Sequence, residues 1–157
     1  MVIDHVGAVF FPGVWALRYV GRISFPIFCF LLVEGFVHTR DVRKYMIRLG
    51  GFALVSEVPY DLAFYGKVVE LDHQNVFFTL LLGVALMELL KYSKELPLKA
   101  VEILLVMASA DLLRTDYSFK GILLIALFYL LRENLWIKTV CGALWNFLWN
   151  GSIQGYG

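Results

Sequence analysis

Four groups of residues carry side chains able to move a proton or hold a charged substrate. Asp4 and His5 are adjacent near the start of the chain. An imidazole backed by a carboxylate is the usual general base for an amine or hydroxyl nucleophile, because it titrates near working pH and the carboxylate fixes its tautomer. Neighbours on a helix point about 100° apart, so Glu57 or Asp61 could hold the ring in place of Asp4. Glu57 and Asp61 stand at i,i+4 spacing with Pro59 between them, which puts two carboxylates on one helical face as acid and base of one site or as ionic glue. His73, Gln74 and Asn75 supply donors and acceptors at a helix start, suited to binding a substrate or to capping. Glu34 and His38 lie one turn apart in a run otherwise apolar from Ile23 to Val37. Together they close a helix–helix bond or, with Arg40 and Arg43, line the access of an anionic cofactor.

Other chemistries find no support in the sequence. Arg18 and Arg22 share a face and either snorkel to lipid phosphate or, for Arg22, pair with the nearby acids. His5, His38 and His73 lie on different segments without an H-x-x-x-H pair, so no metal site is expected. Neither a glycine-rich phosphate loop nor G-x-S-x-G is present. Cys29 and Cys141 sit in apolar segments and read as packing residues.

The elements that must position these groups follow from composition. Of 157 residues, 60% are hydrophobic, against about 45–50% in soluble domains, and mean hydropathy is +0.72. The composition predicts an all-α, polytopic integral membrane bundle of six or seven transmembrane or re-entrant helices in a single domain over 1–157. A net charge of +1 without a basic tract argues against nucleic acid as a partner. Apolar runs fall at 6–17, 23–38, from the basic junction Arg40–Arg43–Lys44–Arg48 to about Tyr65, from 75 to about 91, from Pro97 to the polar cluster Asp111–Arg114–Asp116, at 121–131 and at 136–149. The first is short and broken by Pro12–Gly13; Pro26 is expected near the start of the second, and Trp145 and Trp149 as interfacial anchors of the last. If these helices alternate, most basic residues fall on one side, cytoplasmic by the positive-inside rule. Arg22, Glu57, Asp61, His73, Gln74, Asn75, Asp111 and Asp116 then gather at the opposite face, with Glu34 and His38 near the cytoplasmic mouth.

IDHVGAVFFP, LRYVGRISFPIFCFLLVEGFVHTR, RLGGFALVSEVPYDLAFYG, HQNVFFTLLLG and DYSFKGILLI resemble, in this order, the successive motifs of the TraX family. The resemblance implies a multi-pass protein of the bacterial inner membrane, in a family named for the member that acetylates the N-terminus of conjugative pilin and grouped with the transmembrane acyltransferases. It implies acetyl-CoA as acyl donor and a catalytic histidine on the first helix, which corresponds to His5. Arg22, Glu34, His38, Glu57, Asp61, His73, Gln74 and Asn75 stand at matching polar positions. Against the family pattern the chain is short before Asp4–His5 and after 152–154, as a fragment or early-stop form would be.

The function expected is therefore transfer of an acetyl group from acetyl-CoA to an amine or hydroxyl, on a pilin-like protein N-terminus or a glycan. His5, Asp4, Asp61 and Glu57 are the expected catalytic residues. Arg22, His73, Gln74 and Asn75 are expected at the substrate, and Glu34, His38 and Arg40 at the donor. The rival expectation is a non-enzymatic transporter or scaffold, since intramembrane acids and histidines also serve proton relays.

Overall fold

The structure, a computed structural model, describes residues 15–66 and 74–150. They form six helices: α1 Trp15–His38, α2 Val42–Tyr65, α3 Val76–Tyr92, α4 Leu96–Leu112, α5 Ser118–Leu130 and α6 Leu135–Asn150. The expected all-α class holds; among the described residues the strand-like feature is an isolated parallel bridge between Gln74 and Thr115.

Local chemistry sets most of the boundaries. Asp41 is the extended N-cap of α2 and its carboxylate accepts the Lys44 N–H at 3.1 Å, which satisfies one of the unpaired donors of a first turn. Gly66 ends the same helix at φ 64°, a left-handed conformation that glycine adopts without steric cost. Asn75 caps α3 through Phe77 N at 2.9 Å. Pro97 lies in the first turn of α4, where no intrahelical N–H is needed.

α1 departs from expectation. It begins at Trp15, so Arg18 and Arg22 lie within it and Pro26 sits in its interior rather than near its start. Charged residues interrupt hydropathy without breaking a helix, and Gly21 costs only about 1 kcal/mol there. Most of the 6–17 run lies outside the described residues.

The core forms where α3 and α5 cross. α5 touches α1, α3, α4 and α6, and Ile122, Leu124, Ile125 and Ala126 are buried with Leu80, Val84, Leu86 and Met87 of α3. Full burial of each large side chain contributes about 1.5–3 kcal/mol. The crossing is close because Gly83 and Gly121 lack side chains: a Cβ at Gly121 would lie 2.6 Å from Thr79 Cγ2 and 3.0 Å from Phe25 Cζ, and one at Gly83 would run into Ile125. Contacts of α1 and α3 with α5 (Phe25 on Tyr117, Phe36 on Tyr129, Gly121 beside Thr79, Gly83 beside Ile125) show that these three run in the same direction. Cys29 is buried in this core, and Trp145, expected as an anchor, packs partly against it.

α2 is attached differently. It packs along α3, with no comparable neighbour among the other described helices, and Ala53 and Asp61 are its buried residues among those whose burial is described. Much of its apolar surface, including Phe52, Leu54 and Val55, is exposed, as are Leu96, Leu104, Leu105 and Leu112 of α4. No helix of the described residues is long and apolar enough to cross a membrane. α3 and α4 have 17 residues, α5 has 13 and α6 has 16, against the roughly 20 of a straight span.

Candidate functional site

The polar residues of interest collect where α2 ends, α3 begins and α4 turns into α5. Asn75 ties two elements together. Its Nδ2 donates to the Ala53 carbonyl at 2.8 Å and to Glu57 Oε2, while its backbone N–H also reaches Glu57 Oε2 at 3.2 Å. Glu57 Oε1 is buried and accepts no hydrogen bond among the described residues. One turn further along α2, Asp61 is fully buried. Two carboxylates thus share one face of α2, as their spacing predicts.

A second layer comes from the α4–α5 turn. Gln74 N donates to the Arg114 carbonyl at 3.2 Å and Asp116 N to the Gln74 carbonyl at 2.8 Å, which aligns the start of α3 with this turn. Thr79 Oγ1 donates to the Asp116 carbonyl, and Ser118 Oγ to Asp111 Oδ1. Arg114, Tyr117 and Ser118 all adopt positive φ, at 49°, 65° and 44°. Such backbone is costly for non-glycine residues and persists only where its surroundings hold it. Here the holding contacts are those hydrogen bonds and the Tyr117 ring, stacked on Phe25 of α1 at 3.7 Å between centroids.

Among the expected site residues, Glu57, Asp61, Gln74 and Asn75 are brought to this end of the bundle. Arg22 lies on α1 within a turn of Phe25, hence at the same level by its backbone. Asp4, His5 and His73 lie outside the described residues. Glu34, His38 and Arg40 stand at the other end, about 20 Å further along α1 at ~1.5 Å per residue. There His38 Nδ1 is 2.8 Å from the Glu34 carbonyl and 3.8 Å from its carboxylate, with the His38 side chain 76% exposed. This contact closes within α1 rather than between helices. Arg40 is exposed. Among the described residues no group of His, Cys, Asp and Glu could hold a metal ion.

Sequence reasoning placed Asp116 at this end but missed the part played by Thr115 and Tyr117. Their signal was a short polar break between apolar runs, which reads as a plain connection until Gln74 pairs with it.

The sequence has a counterpart in a known family. The sequence model described as TraX protein matches residues 1–153. The chain belongs to the TraX family. Within the TraX frame, the carboxylates of α2, the Asn75 cap and the Asp116–Tyr117–Ser118 turn fall inside motifs that the sequence alone had marked. The chain is also similar to the probable fimbrial assembly protein FimC, serogroup H1, of Dichelobacter nodosus, at 35% identity over 115 residues, covering 63% of this chain and 45% of that protein. It therefore spans less than half the length of that relative. No solved structure matches.

Proposed function

We propose that this TraX chain is part of an integral acyltransferase of the bacterial inner membrane, moving an acetyl group from acetyl-CoA to an amine or hydroxyl acceptor on a pilin-type protein. The observation that carries the reading is the pair of acidic side chains on α2, Asp61 fully buried and Glu57 with one buried oxygen that accepts no hydrogen bond among the described residues. A buried acceptor of this kind is costly unless it meets a donor, and a protonated imidazole or an acceptor N–H is such a donor. The fimbrial name of the D. nodosus relative supports a pilin-type acceptor over a glycan. The apolar exterior of α2 and α4 supports a bilayer around the bundle, since apolar patches of this extent mark membrane or partner contacts.

In this reading His5 takes the proton from the acceptor N–H or O–H, and the freed lone pair attacks the thioester carbonyl. Asp4, Asp61 or Glu57 orients the imidazole and offsets its charge. Arg22 and the His73–Gln74 pair face the acceptor and the developing oxyanion. Collapse of the tetrahedral intermediate expels the CoA thiolate, which recovers the proton, with Glu34, His38 and Arg40 at the end from which the donor approaches.

The test is transfer of labelled acetyl from acetyl-CoA to a pilin N-terminal peptide by detergent-purified protein. His5→Ala should lower the rate about 100-fold or more with the protein still folded in the membrane fraction. Wild-type rates from His5→Ala would exclude the assignment. Solute uptake driven by protons, with no acetyl-CoA turnover, would favour the transporter reading.

A further inference from the structure

Every polar atom of the Asn75 side chain is used inside the protein. Oδ1 accepts the Phe77 N–H at 2.9 Å, and Nδ2 serves the Ala53 carbonyl at 2.8 Å and Glu57 Oε2. Capping alone needs only the acceptor, and Ser or Asp performs it about as well as Asn. The amide nitrogen is what those residues lack, and it is spent on Glu57. As a result, Glu57 Oε2 takes two N–H donors, from the Asn75 backbone and side chain. Oε1 of the same carboxylate is buried and accepts none among the described residues. A carboxylate can accept about four hydrogen bonds over its two oxygens, so this one is supplied on one side only.

We infer that Asn75 is a positioning residue: it pins the Glu57 carboxylate through Oε2 and so fixes Oε1 as the oxygen left to receive the acceptor N–H. This rests on the acyltransferase reading. It also assigns Asn75 a part different from contact with the substrate, since both protons of its amide are already committed. A long, flexible glutamate loses rotamer freedom when held this way, and the ordering is done before any ligand arrives.

The experiment is a double-mutant cycle on acetyl transfer in the whole chain. Asn75→Ser keeps a capping oxygen and removes the amide, so it should stay folded in detergent with a modestly lower melting temperature, while kcat falls about tenfold or more and KM for acetyl-CoA is unchanged. Combined with Glu57→Gln, it should be no slower than Glu57→Gln alone, because a residue acting through Glu57 has nothing left to position. If Asn75→Ser does not fold, Asn75→Asp, which keeps the cap and lacks the donor, carries the same comparison. Wild-type kcat in the serine or aspartate variant, or losses that multiply in the double variant, overturn the inference. A wild-type protein that transfers no acetyl group overturns the acyltransferase reading beneath it, and the two failures are told apart by that control.

Discussion

At the scale of single residues, the site end is built on contacts with little room. Thr79, Phe25 and Tyr117 all close on Gly121, with a Cβ there meeting Thr79 Cγ2 at 2.6 Å, Phe25 Cζ at 3.0 Å and Tyr117 Cβ at 3.2 Å. Gly121→Ala must push apart the Phe25–Tyr117 stack and the Thr79 hydroxyl that holds the Asp116 carbonyl. Overpacking of this sort costs about 1–3 kcal/mol, so the variant should unfold at lower temperature in a detergent melt; an unchanged melt would mean that α5 has freedom to shift. The residues bearing chemical groups were legible in the sequence, because Glu57, Asp61 and Asn75 stand out in apolar runs. Their partners were not. The Ala53 carbonyl and the Phe77 N–H are backbone groups, which every residue possesses, and only the fold selects them.

At the scale of elements, legibility followed local punctuation. Asp41, Gly66, Asn75 and Pro97 are strong start and stop residues, and α2, α3 and α4 begin or end beside them. α1 starts earlier than its apolar run because its N-terminal half carries arginines without a breaker, and a dip in hydropathy does not end a helix. A cap makes a modest, separable contribution: Asp41→Ala should lower stability by about 1 kcal/mol, read as a small drop in melting temperature, whereas Asp41→Asn should leave it nearly unchanged. Pro26 and Pro59 lie inside α1 and α2. Each removes the hydrogen bond to the carbonyl four residues before it, which in α1 belongs to Arg22. Both long helices are thus locally weakened in the half that carries the site.

For the whole molecule, the balance of buried and exposed apolar surface decides what surroundings it needs. The core holds α3 and α5, while α2 and α4 turn Leu54, Val55, Leu96, Leu104 and Leu112 outward. We expect the protein to stay with the bilayer pellet after washing with alkaline carbonate, detected by blotting; release into the supernatant would require another partner for those side chains. Composition made this exterior legible, and the two central helices, α3 and α5, are also the most apolar of the six in sequence.

The attachment of α2 has a further outcome. Five helices share contacts through α1, α3 and α5, whereas α2 hangs from α3 like an outrigger, joined along one flank and stitched at Asn75. With most of its packing on a single neighbour, α2 should exchange its amide hydrogens faster than α3 and α5 do, and slowest around Ala53, where Asn75 is bonded to it.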